Sequence, residues 1–227
     1  PRDLSSLRFF LCGGTTIPPK LFEDCRPFGI RLLSIYGSTE SSPHSLVRLN
    51  DTREHTEETD GCAVDGVEIR VVDDNRHEVP HGQEGEEASR GPQVFVGYWG
   101  EPEMTARALD ADGWYYSGDY CRTDSEGRYI RITGRKKDII VRGGENISSR
   151  EVEDIVLEYP GVREAAVVAM PDERLGERSC ACVSMRPGAP AMHLTDLVAF
   201  FDGRRVAKYK FPEYLVVLDA LPRTSSG

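Results

Sequence analysis

The chain has no pair of cysteines at Cys-x-x-Cys spacing and no histidine cluster beside any cysteine. Its six cysteines, Cys12, Cys25, Cys62, Cys121, Cys180 and Cys182, are scattered through 227 residues. That scatter argues against a zinc site and against a disulfide-stapled scaffold, and suits small buried thiols in a reducing compartment. No apolar run is long enough to span a membrane, and no signal peptide is visible, so the expectation is a cytoplasmic protein without a transmembrane segment. An excess of positive charge is also missing. Lys and Arg number 28 against 38 Asp and Glu, a formal net charge of -10, which disfavours a nonspecific grip on nucleic acid or anionic membrane. Repeats and low-complexity segments are absent as well. What remains is an ordinary globular composition, 39% hydrophobic and 29% charged, long enough for one large domain or two smaller ones.

The hydrophobic pattern changes character along the chain. Leu7-Arg-Phe-Phe-Leu11 reads as a buried strand closed by Gly13-Gly14. Pro18 and Pro19 suit a helix start, with a short helix over 19–24, and Arg31–Tyr36 reads as a second buried strand ending at Gly37. Strand, helix and parallel strand make an α/β unit, whose ligands bind outside the carboxyl ends of the strands. From about 60 to 133 the rhythm is of short strands and turns: Val67–Val72, Gly85–Gly91, Gln93–Val96, Tyr120–Thr123 and Tyr129–Thr133, with a surface helix over 102–109. This predicts a small β-barrel or distorted sheet. The last third predicts an α+β unit. Ser148 with Glu151 forms a capping box ahead of Val152, Ile155, Val156 and Tyr159 at helical spacing. Strands follow at 165–169, 179–184 and 214–218, and an amphipathic helix at 195–206.

Three segments carry chemistry. Tyr36-Gly-Ser-Thr-Glu40 follows a buried strand. In Tyr116-Ser-Gly-Asp119, the two oxygens of one carboxylate match the spacing of a cis-diol, so Asp119 is suited to a ribose. Gly134-Arg-Lys-Lys-Asp-Ile-Ile-Val-Arg-Gly-Gly-Glu-Asn146 opens a locally basic stretch, five basic and two acidic residues over 135–150, which by charge alone reads as a solvated loop. Each segment alone has an ordinary structural reading as a turn or exposed loop.

Together and in this order, the three segments resemble the adenylate-forming enzymes, a family that includes acyl-CoA synthetases, luciferases and peptide-synthetase adenylation domains. The resemblance implies an α/β and α+β fold: residues 1–136 as the C-terminal part of a large AMP-binding domain, and 137–227 as a small mobile C-terminal domain. It implies that Tyr36 faces adenine, that Gly37 permits a turn close to the ligand, and that Gly13-Gly14-Thr15-Thr16 lines the adenine pocket. Thr39 would contact the α-phosphate and Glu40 would hold Mg²⁺. Asp119 would take the ribose hydroxyls, and Arg135 the ribose or α-phosphate. Lys137, beside Lys136, would be the hinge, and Gly143-Gly144 would line the path of the coenzyme A thiol.

The implied substrates are ATP, giving AMP, together with coenzyme A and a small carboxylic acid. The loop Gly-Gly-Glu-Asn-Ile-Ser-Ser is similar to that of synthetases acting on short- to medium-chain or cyclic acids. A Ser/Thr/Gly-rich phosphate loop ending in Lys is not found, nor is the adenylation lysine expected after Gly227. The resemblance therefore implies a large piece of an enzyme lacking its N-terminal half, inactive alone. Two alternatives stay open: a catalytically incomplete nucleotide-binding module, or an adenylating enzyme with another acceptor, such as a carrier-protein thiol. His44 is implied to lie near the acyl pocket, although its polar context reads as a surface histidine. His55, His77, His81 and His193 also read as surface residues.

Overall fold

The computed structural model describes residues 3, 5–14 and 17–222. Thr15, Thr16 and the closing stretch 223–227 lie outside the described residues. The chain divides into two compact units, Pro1–Ile132 and Thr133–Gly227. Among the described residues, no helix is long and apolar enough to cross a membrane.

The first unit opens with β1 (Phe9–Cys12), α1 (Pro19–Cys25) and β2 (Arg31–Tyr36). β1 and β2 run parallel, Phe9 opposite Arg31, as the sequence predicts. β3 (Ser45–Leu46), α2 (Arg53–Glu58) and β4 (Cys62–Ala63) follow, and the sheet order is β1-β2-β3-β4. These last three elements are too short to leave a periodic signal. β1 is not the buried strand its apolar run predicts: Phe9, Phe10 and Leu11 are 42%, 54% and 49% exposed. It is the edge of its sheet, and the cluster formed by Phe22 of α1 with Leu32 of β2 and Ile17 reaches β1 only at Cys12.

The second sheet holds β5 (Glu68–Val72), β6 (Gly85–Arg90), β7 (Tyr115–Thr123) and β8 (Ile130–Arg135), in that order, with α3 (Pro102–Ala108) between β6 and β7 in sequence. It is an open, distorted sheet and not a barrel, having fewer strands than the about five of the smallest common barrels. The expected strand at Gln93–Val96 reduces to a single bridge between Val94 and Ser41, and Val96 stands exposed.

The second unit contains β9 (Ile139–Arg142), β10 (Glu145–Ser148), α4 (Ser149–Leu157), β11 (Val162–Asp172), β12 (Gly176–Met185), α5 (Leu194–Asp202) and β13 (Tyr214–Leu218). β12 is the shared strand. It pairs antiparallel with β11, touches β9 at Gly176 and pairs parallel with β13. Val152 and Val156 of α4 meet Leu197 and Phe201 of α5 over Ile140, Ile147, Val167, Ala181 and Val183. Ser148 caps α4, accepting from the Glu151 backbone N–H at 3.3 Å while donating to the Thr133 carbonyl at 2.8 Å, but the expected capping box is only half formed, because the Glu151 carboxylate accepts from Lys210 Nζ at 2.7 Å instead.

Phe201 is fully buried and meets Phe211 edge-on at 5.5 Å. Phe201→Ala is predicted to destabilise the second unit by about 3–5 kcal/mol through lost burial and a residual cavity, read as a lower urea midpoint for that unit's unfolding.

Candidate functional site

In the first unit, the polypeptide turns sharply where β2 ends. A Cβ on Gly37 would lie 2.6 and 2.7 Å from the backbone Cα and N of Pro43, so only glycine fits under the returning loop. That loop is closed by the Ser38 N–H to the Ser41 carbonyl at 2.8 Å and by the His44 N–H to the Tyr36 carbonyl at 2.9 Å. Gly13 and Gly14 lie at the end of β1, with Gly13 abutting Ile35 one residue before Tyr36. The motif is thereby fixed at the carboxyl end of a parallel pair, where open α/β sheets bind ligands.

Asp119 arrives from the other sheet on an irregularity in β7. Glu86 of β6 pairs with Tyr120 and Ala88 pairs with Tyr116, so Glu87 alone faces Ser117, Gly118 and Asp119. A bulge of this kind re-aims a side chain. It is held by Ser117 Oγ donating to the Glu87 carbonyl, the Gly118 N–H donating to Glu86 Oε1, and the Asp119 N–H donating to Ser117 Oγ, at 3.0, 3.0 and 3.1 Å. The segment thus sits within a strand, not in the free-standing turn its composition suggests. Tyr36 and Asp119, 83 residues apart, meet: the phenol donates to Asp119 Oδ2 at 2.9 Å. Burial, with the Glu87 and Asp119 carboxylates nearby, pushes the Tyr36 phenol far above its ordinary range, so it remains a neutral donor.

Thr39 is exposed and Glu40 half-buried at the tip of the same loop. Tyr98 donates to Glu40 Oε1 at 3.0 Å, and the Phe95 N–H donates to the Glu40 carbonyl at 2.7 Å. One oriented carboxylate fits Mg²⁺, which takes one or two protein carboxylates and completes its shell with phosphate and water. No group of three or more His, Cys, Asp or Glu able to hold a metal ion occurs among the described residues. A hollow of about 500 Å³ lined by Val96, Tyr98, Trp99, Thr105 and Leu109 lies beyond Tyr98 and contains none of the candidate residues.

Sequence reasoning missed the centre of this unit. His44 is not a surface residue. It is fully buried, as is Glu87, and His44 Nε2 lies 3.1 Å from Glu87 Oε1. Glu87 Oε2 lies 3.5 Å from the oxygen of the Tyr36 phenol, whose single proton goes to Asp119. The signal was present but slight. His44 follows a proline that folds over Gly37, and Glu87 occupies the inward phase of β6, where alternation calls for an apolar residue.

Arg135, Lys137, Gly143 and Gly144 belong to the second unit. Arg135 and Lys137 are exposed, Lys137 within a single 3₁₀ turn over Lys136–Asp138. Gly143 and Gly144, with φ of 60° and 91°, form the two-residue link of the β9–β10 hairpin. Positive φ at both positions is the pattern of a type I′ turn, which accounts for a glycine pair. The turn is anchored by the Gly143 N–H to the Leu175 carbonyl at 2.8 Å. Beside it Arg142 grips Glu213 with two bonds of 2.9 Å, and Arg178 donates to the same carboxylate at 2.8 Å. The Arg142 guanidinium holds the Glu213 carboxyl below its ordinary range.

Comparison with known proteins matches this two-part organisation. The model of the AMP-binding enzyme covers residues 1–99, and that of the AMP-binding enzyme C-terminal domain covers residues 151–227. The whole chain is 65% identical to a medium-chain fatty-acid–CoA ligase of Escherichia coli, spanning 40% of that protein. Over 99% of its length it is 39% identical to an indoleacetate–CoA ligase of Aromatoleum aromaticum, spanning 43% of it. Among solved structures, ATP-bound MatB from Rhodopseudomonas palustris superposes with a TM-score of 0.89 at 32% identity, over 97% of this chain and 43% of that one. The o-succinylbenzoate CoA synthetase of Bacillus subtilis, in complex with its acyl-adenylate intermediate, superposes at 0.88 and 30% identity over 99% of this chain and 45% of that one. With both family models falling in order along the chain, and with relatives alike over its whole length, the chain belongs to the adenylate-forming, AMP-binding enzyme family.

Proposed function

We propose that the protein is an ATP-dependent acid:CoA ligase that activates a short- to medium-chain or cyclic carboxylic acid as its acyl-adenylate and passes the acyl group to coenzyme A. The observation that carries this reading is the meeting of Tyr36 with Asp119 at 2.9 Å, which joins two distant motifs at the carboxyl end of one strand pair. The chain spans about two-fifths of the curated relatives it matches, so the activity is that of the whole protein. A cytoplasmic location is part of the proposal, and the relatives named as CoA ligases support the metabolic role.

In the first half-reaction, an oxygen of the substrate carboxylate attacks the α-phosphorus of ATP. The bond from that phosphorus to the bridging oxygen breaks, and pyrophosphate leaves. Asp119 holds the ribose hydroxyls, Tyr36 presents its ring to adenine, and Gly13, Gly14 and Gly37 let the backbone approach the base. Thr39 donates to an α-phosphate oxygen. Glu40 would hold Mg²⁺, which neutralises charge on the phosphates. Arg135 adds a permanently charged fork for ribose or phosphate.

In the second half-reaction, the coenzyme A sulfur attacks the acyl carbonyl, AMP departs and the thiol proton is released. Here residues 137–227 act as a mobile domain turning about Lys137 against residues 1–136, and the Gly143-Gly144 turn lines the thiol's path. A hinge asks only for a short exposed link that tolerates a change of φ and ψ, and Lys137 meets that description.

Two outcomes test the reading on the full-length protein. ATP–pyrophosphate exchange should depend on added acid, and Asp119→Ala should lower it on the order of 100-fold through lost ribose positioning; acid-independent or absent exchange contradicts the proposal. Lys137→Pro, which stiffens φ, should leave exchange within about twofold while abolishing acyl-CoA formation. Equal loss of both half-reactions would remove Lys137 from the hinge role, and transfer to a carrier-protein thiol instead of coenzyme A would reassign the acceptor.

A further inference from the structure

Glu87 poses a physical problem that the proposed chemistry does not itself explain. A carboxylate with no access to water costs several kcal/mol unless it is paired and hydrogen-bonded. Its two carboxylate oxygens face His44 and Tyr36. Oε1 meets His44 Nε2 at 3.1 Å, Oε2 meets the Tyr36 phenol at 3.5 Å, and the same phenol reaches Asp119 at 2.9 Å. The His44 and Tyr36 rings also touch edge-on at 5.1 Å.

The surroundings of His44 fix its protons. Nδ1 lies 3.3 and 3.2 Å from the carbonyls of Ser41 and Ser42, which only accept, and 3.1 Å from Ser41 Oγ. That hydroxyl also contacts Ser89 Oγ at 3.1 Å and accepts from Gln93 Nε2 at 3.3 Å. Nδ1 is therefore a donor, while Nε2 faces a carboxylate. One proton lies between Nε2 and the Glu87 carboxyl, and the buried pair is neutral overall. Burial opposes charge on the imidazole, and the Glu87 carboxylate together with the Ser41 and Ser42 carbonyls offsets it, so the imidazole stands above its ordinary range.

We infer that Glu87 and His44 form a positioning pair for the nucleotide site: Glu87, neutralised by His44, restrains the Tyr36 phenol, and Tyr36 in turn holds the Asp119 carboxylate at the orientation that receives the ribose. The pair spans the unit's two sheets, since His44 and Tyr36 come from the β2–β3 segment and Glu87 and Asp119 from β6 and β7. Its effect is confined to nucleotide affinity. The inference rests on the adenylation reading above, and the test separates the two.

The test uses the full-length protein with Glu87→Gln, Tyr36→Phe and the double variant, each checked by thermal melting. AMP affinity is measured by calorimetry, and KM for ATP and for the acid by pyrophosphate exchange. Glu87→Gln and Tyr36→Phe should each weaken AMP and raise the ATP KM by roughly tenfold, the scale of one hydrogen bond. The acid KM should stay within about twofold, and the double variant should lose no more than the worse single one, because both act through one chain of contacts. Unchanged AMP affinity in Tyr36→Phe overturns the inference even if Glu87→Gln fails to fold. Additive losses, or a rise in acid KM equal to that for ATP, also overturn it, since they would mark general loosening. A wild-type protein that exchanges pyrophosphate while its Glu87→Gln variant behaves identically refutes only this inference. A folded wild-type protein with neither AMP binding nor exchange refutes the functional reading and, with it, the object being positioned.

Discussion

A carboxylate sealed from water organises the first unit. Glu87 sits on the inward phase of β6 at a point where β7 bulges, and its charge is tolerable only because His44 is delivered to it from the other sheet. Much else in the unit serves that delivery. Gly37 must be glycine for Pro43 to fold over it, Pro43 brings His44 inward, and the β7 bulge turns Asp119 toward Tyr36. A structural necessity and a functional one coincide here, because the side chains that neutralise Glu87 are those beside the residues assigned to the nucleotide.

The second unit is built differently. Two helices close an aliphatic core over a sheet whose shared strand is β12, and a part-buried charge network lies beside the Gly143-Gly144 turn. Glu213 bridges Arg142 and Arg178, Asp172 binds Arg178, and the backbone N–H groups of Arg174 and Leu175 cap Asp172. Gly143 then bonds to Leu175. A turn fixed at both ends is suited to presenting backbone to a partner group, consistent with the role proposed for it in the thiol path.

The sequence disclosed what local chemistry determines. The strand over 31–36, the helix started by Pro19, the cap at Ser148 and the strand over 214–218 follow from periodicity and end signals within a few residues of themselves. Four misreadings share one cause, which is that burial is decided by partners far away in the sequence. Phe9, Phe10 and Leu11 look like a buried strand but lie on a sheet edge. Gln93–Val96 has strand composition and no partner strand. Ser117–Asp119 looks like a turn and is a bulge within β7. His44 looks like a surface histidine and is enclosed by Glu87, a residue whose own burial no short window could reveal. The motifs themselves were legible, whereas the contact between Tyr36 and Asp119 needed the fold.

The most direct measurement is a crystal structure of the full-length protein with AMP bound. The ribose hydroxyls should lie on the Asp119 carboxylate, the adenine against the Tyr36 ring, and Glu87 should stay paired with His44 behind them. A nucleotide bound elsewhere, or a ribose held without Asp119, would contradict it.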